Sequence, residues 1–317
     1  MLKFEDCCEN PKNFPPKLLE ISTLFKNWRN FILEVYQNLV HENITQKNIK
    51  NNGIVNPVIG ILISEIITTL DGLYALASKT SFESIPTLTR KFLEISTQII
   101  FILKDDSYNK ALVYELKEIS FYSYKNVETN LDCLKQVLSN DDKINKYYDK
   151  ICNLKNSNKY YDWYKIYDDQ ITSFQKLYEQ IDTNTKYPSA KNLWQKMYGP
   201  LSRNSHGFVA GKNLLNIGSL NTLNFYRTPY DISFSILVVQ FMAENLINSL
   251  DIYYKVLNKA KIELFFENQK SLYHQIADAE KVFYLNTKRK LNTIARDRKR
   301  AIKKAQKRKL KEQNKYK

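Results

Sequence analysis

Seven glycines and eight prolines are all the turn-forming residues in a chain of 317. That is about one residue in twenty, where an average protein carries roughly 12% of the two together. Sandwiches and barrels need a turn every few residues, and phosphate-cradling loops need runs of glycine, so this scarcity excludes both. A hydrophobic content of 43% excludes wholesale disorder. No stretch alternates apolar and polar residues for long, and no internal repeat stands out. The expected architecture is therefore all-α: one multi-helix bundle of seven to ten helices over residues 1–287, followed by a basic C-terminal helical extension over 288–317. A division of the bundle near residues 140–158, a polar and Asn-rich stretch, is the alternative.

Periodicity locates the helices. Leu18, Ile21, Leu24, Phe25, Trp28, Phe31, Ile32, Val35 and Leu39 recur at three- and four-residue spacings, which predicts an amphipathic helix over 17–40. A loop is expected at 41–53. Residues 55–76 are apolar on most sides and predict a helix at the bundle centre. Ser84 and Pro86 open a helix that runs to Lys104. Beyond a turn at 105–108, helices are expected over 110–138, 160–181, from a cap at Ser189 to Tyr198, over 232–257, and from Lys259 into the tail. Gly199 and Pro200 predict a break, and a loop is expected to reach Pro229.

Charge is concentrated at one end. Residues 288–317 hold fifteen Lys and Arg against Asp297 and Glu312, a net of +13 out of +15 for the whole chain. Good helix formers fill this arm, but Leu291, Ile294, Ile302 and Leu310 are too sparse for a core-facing stripe. Two readings follow: a solvated tail, or a surface for a polyanion held by Arg296, Arg298, Lys299, Arg300, Lys303, Lys304, Lys307 and Arg308. The second makes nucleic acid the expected partner, RNA before DNA, with no membrane role because the charge has no strong apolar face beside it. A homodimer or a protein partner stays open.

Cys7, Cys8, Cys133 and Cys152 form no CxxC pair and no knuckle with His41, His206 and His274, so no structural zinc site is expected. No cofactor motif is present, and His41 and His274 read as surface residues. The N-terminus lacks signal-peptide regions. The most membrane-like stretch, 54–76, carries Asn56, Pro57, Glu65 and Asp71, and a charge near mid-bilayer costs about 2.5 to 3.5 kcal/mol. A buried helix and a cytoplasmic location are expected instead.

Two polar groups bear on chemistry. Arg90 and Glu94 share one side of an otherwise apolar helix at i and i+4, a spacing that supports an ion pair. In GPLSRNSHGF, a short helix would bring Ser202, Arg203 and His206 to one side, with Arg able to hold phosphate and His able to move a proton near neutral pH. The plainer readings are a structural ion pair and a histidine that orients a loop. The runs TLTRKFLEISTQIIFILKDD and MYGPLSRNSHGF resemble a bacterial family of helical proteins of unknown function, numbered 5677. Its Arg-x-x-x-Glu helix and Leu-Ser-x-x-x-His segment recur at Arg90 and Glu94 and at Leu201, Ser202 and His206. The resemblance spans roughly residues 55–255 and implies a bacterial helical bundle with no activity to inherit. A more distant likeness is to the HEPN superfamily of nucleotide-binding helical proteins, many of them ribonucleases of phage defence and toxin systems. Their motif places Arg four to six residues before His, whereas only two residues separate Arg203 from His206.

The expected function is thus a defence- or toxin-type protein that binds nucleic acid through its arm. One alternative is an RNA-cleaving or RNA-modifying enzyme with His206 as acid or base, Arg90 or Arg203 steadying phosphate, Glu94 orienting the Arg and Ser202 beside them. The other is an antitoxin-like or scaffold subunit.

Overall fold

All nine apolar positions of the first amphipathic segment are buried, as its spacing requires. The computed structural model describes residues 15–45, 53–79, 81–122, 127–138, 141–156, 162–181, 196–199, 201, 214–217, 220–223, 232–255 and 257–313. The first segment forms two helices, α1 (Pro16–Leu19) and α2 (Ile21–Thr45), joined at Glu20. Helix α2 continues to Thr45, so the expected loop starts later than 41. It packs along α3 (Val55–Ser78), and Arg29 Nη1 meets Asp71 Oδ1 at 2.6 Å between them.

The centre of the bundle is α4 (Ile85–Lys104) rather than α3. Helix α4 packs on α3, on α5 (Ser107–Tyr122), on α9 (Phe174–Gln180) and most extensively on α10 (Ile232–Tyr254). Composition alone had favoured α3 because it has few charges, but α4 carries the longer run of buried residues, Ile99 to Leu103. Gly72 faces α4, where the end of the Leu88 side chain occupies the space beside it: a Cβ there would come within 2.8 Å of Leu88 Cδ1, which would have to turn away. Helices α3 and α10 are long and apolar enough to cross a bilayer by length and composition. Both bury a face inside the bundle.

The expected helix over 110–138 is described as α5 and α6 (Val127–Leu138), and the stretch at 140–158 forms a full helix, α7 (Asp141–Asn156), that buries Ile144 and Ile151. The helix expected over 160–181 is two short ones, α8 (Trp163–Tyr167) and α9. Asp168 and Ser173 divide them. The Asp168 carboxylate accepts from the Gln170 N–H, and Ser173 Oγ caps α9 by accepting from the Lys176 N–H. Gly199 is helical, and Leu201 is helical and buried, while Pro200, the other half of the expected break, lies outside the described residues. In the span expected to be loop, β1 (Leu214–Ile217) and β2 (Leu220–Leu223) pair antiparallel, Leu214 opposite Leu223. This small hairpin leaves the fold class all-α.

The turn from α4 to α5 closes over a buried lysine. Lys110 Nζ donates to the Phe101 carbonyl at 2.9 Å and to Asp105, and it sits 4.0 Å from the centroid of the Phe101 ring. Burial pushes this amine below the ordinary lysine range, against the pull of Asp105. Asp106, with φ 41°, accepts from Tyr167 Oη at 2.8 Å and so ties the turn to α8.

The last helix, α11 (Lys259–Gln313), runs 55 residues without interruption. Its first half packs on α1, α2 and α10. Phe265 stacks on Phe31 at 3.9 Å and meets Trp28 edge-on at 5.0 Å. From the middle of α11, buried Glu280 accepts from the Ile232 and Ser233 N–H groups at 2.8 and 3.0 Å. These are donors that the first turn of α10 cannot satisfy within itself. A side chain some fifty residues later in sequence thus caps α10, and its negative charge also suits the positive end of the helix dipole.

Candidate functional site

Arg90, Glu94 and Gln98 lie at i, i+4 and i+8 and form one polar stripe on α4. Arg90 Nε donates to Glu94 Oε1 at 2.8 Å, as the spacing predicts. The further partner that a half-buried pair requires is Tyr198. Arg90 Nη2 donates to Tyr198 Oη at 2.5 Å, Tyr198 Oη donates to Glu94 Oε1 at 3.0 Å, and the guanidinium carbon lies 4.8 Å from the Tyr198 ring centroid. Arg90 and Glu94 side chains retain 21% and 31% of their exposure, so the cluster reaches the surface.

An aromatic wall surrounds it. Phe174 stacks against Tyr198 at 6.1 Å and Tyr164 meets Phe174 edge-on at 6.2 Å. Tyr164 Oη donates to Asp162 Oδ2 at 2.7 Å, and Trp163 Nε1 donates to Gln98 Oε1 at 2.7 Å. Five segments, α4, α8, α9, the loop before α8 and the helical turn at 196–199, therefore converge on the stripe.

Titration follows from this packing. Burial works against the charge of Arg90, but the hydrogen bond and charge of Glu94, with Tyr198, outweigh it and raise its pKa further. Burial, then the negative charge of Glu94, pushes the Tyr198 hydroxyl up to about 12, Arg90 opposing. Burial and the bond to Asp162 raise Tyr164 as well. The cluster thus keeps the guanidinium of Arg90 charged and the phenol of Tyr198 protonated, and both bond to the Glu94 side chain. It fastens elements together without needing a substrate, and Tyr198 is a donor rather than a base.

Of the residues expected at a site, Arg90 and Glu94 are together. Ser202, Arg203 and His206 lie outside the described residues. Tyr198, Gln98 and Trp163 were missed by sequence reasoning. The one signal for Tyr198 was its place at the head of the YGPLSRNSH segment, eight residues before His206. His274 is exposed, and Cys152 is a half-buried free thiol. Among the described residues no group of three His, Cys, Asp or Glu is placed to hold a metal ion.

In the arm, Arg296, Lys299, Arg300, Lys303 and Lys304 are exposed on α11. Arg300 makes a loose ion pair with Asp297 at 3.7 Å. The side chains of Arg298, Lys307 and Arg308 lie outside the described ones.

The chain is an all-α bundle whose α4 carries the paired Arg90 and Glu94. The profile of a family described as a family of unknown function, DUF5677, matches residues 56–221, and the chain belongs to that family. The match covers just over half the chain and ends before α10, short of the 255 expected from the motifs. It therefore leaves α10 and all of α11 outside the family region. No curated protein and no solved structure is significantly similar to the chain.

Proposed function

We propose that this protein is a cytoplasmic nucleic-acid-binding protein that holds phosphate backbones on the C-terminal half of α11. One observation supports the reading: residues 299–306 form two turns of helix in which every position is exposed, four of them Lys or Arg. A core or an interface within the chain would cover at least one face. Exposed cations on a preformed helix release condensed counterions when they meet phosphates, and that release drives binding. The test is a salt titration of binding to RNA and to duplex DNA, with the full chain and with a chain ending at Thr287. Equal affinities and equal salt slopes for the two chains would make the arm a solubilising tail.

A second reading, catalysis on RNA, is favoured by the Tyr198 contact, which brings the head of the Ser202, Arg203 and His206 segment onto Arg90 and Glu94. A positioned acid or base contributes about 10² to 10⁴ in rate. An RNA-cleavage assay of folded His206→Ala at parental activity would overturn this reading.

A further inference from the structure

Resting on the phosphate-binding reading, the charge pattern of α11 points to how that binding is regulated: we infer that the outer part of the arm, residues 296–313, exchanges between helix and coil, and that phosphate charge switches it to the helix.

The two ends of α11 differ in what holds them helical. Residues 259–283 carry four Lys against four Asp and Glu, and Ile262, Gln269, Ile276, Glu280 and Phe283 are buried there. Residues 296–313 carry ten Lys and Arg against Asp297 and Glu312, and every side chain described from Arg296 to Gln306 is exposed. Packing supplies most helical stability in proteins. It is lacking where the charge is greatest.

Neighbours on a helix stand at i+4 and i+3, and like charges there destabilise it. At i+4, Arg296 meets Arg300, Lys299 meets Lys303, Arg300 meets Lys304, Lys303 meets Lys307, Lys304 meets Arg308 and Lys307 meets Lys311. At i+3 four more pairs of cations are neighbours, beginning at Arg296, Arg300, Lys304 and Arg308. Against these ten, only three pairs are of opposite charge: Glu312 with Arg308 and with Lys309, and Asp297 with Arg300, the last a loose 3.7 Å contact. A net of seven repulsive pairs tilts the balance toward coil by roughly 10- to 300-fold. Everything else favours helix, since Lys, Arg, Ala and Gln are good helix formers and the anchored half supplies the nucleus. Phosphates laid on the arm cancel the one opposing term, so binding and helix formation reinforce each other.

Amide hydrogen exchange of the full chain at low ionic strength, with and without inorganic polyphosphate, reads the switch, and calorimetry on the same mixtures reads binding. Polyphosphate should slow exchange over 296–313 by roughly 10- to 300-fold and leave 259–283 unchanged. Sodium chloride, which screens the same repulsions, should slow it in part without phosphate. Lys303→Glu turns the pairs with Lys299, Arg300 and Lys307 from repulsive to attractive, so its free arm should exchange more slowly than the parent's and gain less on binding. Lys303→Gln, which removes the repulsion without adding attraction, should fall between them. Polyphosphate that binds without slowing exchange, or a Lys303→Glu arm no better protected than the parent's when free, overturns the switch and leaves phosphate binding standing. No binding of polyphosphate overturns both.

Discussion

Tyr198 donates its hydroxyl hydrogen to Glu94 at 3.0 Å, across 104 positions of sequence. Removing that oxygen alone, in Tyr198→Phe, keeps the stacking on Phe174 but leaves Arg90 and Glu94 one partner short. The expected cost is about 1 to 2 kcal/mol, read as a lower urea midpoint with an unchanged slope. Arg90→Lys should also destabilise, since an ammonium cannot serve Glu94 and Tyr198 in the planar fork of a guanidinium.

The same hydroxyl makes stability depend on pH. Its pKa is about 12 in the folded chain against an ordinary 10. The folded state thus keeps a proton that the unfolded state has lost, and the associated stability is whole below pH 10 and disappears as pH rises to about 12. Denaturation midpoints taken across that window should fall less steeply for Tyr198→Phe than for the parent.

Lys110 gives the opposite slope. Burial holds its folded pKa below the ordinary 10.5, so the unfolded state binds more protons between the two values. Stability from this group rises with pH through that window. In Lys110→Met the rise should vanish, and a thermal melting series approaching about pH 10, before the tyrosines titrate, detects it.

Glu118 is raised by burial and further by Glu115 and Glu65, with Lys117 opposing. Its folded pKa lies above the ordinary 4.5, so its charge penalises the folded state at neutral pH and the penalty fades as pH falls toward 4.5. Glu118→Gln should melt higher than the parent at pH 7, and the two should converge in mild acid. A variant that melts lower at pH 7 would show that Lys117 outweighs the burial.

Glu280→Ala leaves the Ile232 and Ser233 N–H groups without their acceptor in a buried place. A cost of about 1 to 2 kcal/mol is expected, with Glu280→Gln intermediate because one oxygen survives. Amide exchange at the start of α10 should accelerate most.

The sequence made the local relations legible. The buried stripe of α2 follows from spacing alone, and so does the Arg90 and Glu94 pair, because both are fixed within a few helical turns. What it hid depends on partners distant in the chain. Nothing near Glu280 marks it as the cap of a helix that begins 48 residues earlier, and nothing near Tyr198 marks it as the third member of a cluster on α4. The split between α8 and α9 was missed for another reason. Tyr164, Tyr167, Phe174 and Tyr178 keep helical spacing across the stretch from Asp168 to Ser173, while the side-chain bonds that end one helix and start the next are short polar contacts that periodicity does not register. The hairpin at 214–223 was missed because four-residue strands are too short to establish an alternation.

Because the first half of α11 packs one face on the bundle and the second half continues it with no turn between them, counting residues sets the direction of its exposed cations. One residue inserted between Phe283 and Arg289 would rotate the outer half of the helix by about 100° and advance it by about 1.5 Å, with every bundle contact kept. Seven inserted residues would return it to within about 20° of its original heading, one heptad farther out. The bundle therefore acts as a compass for its arm, and the bearing it gives is written in the length of a segment that touches neither end.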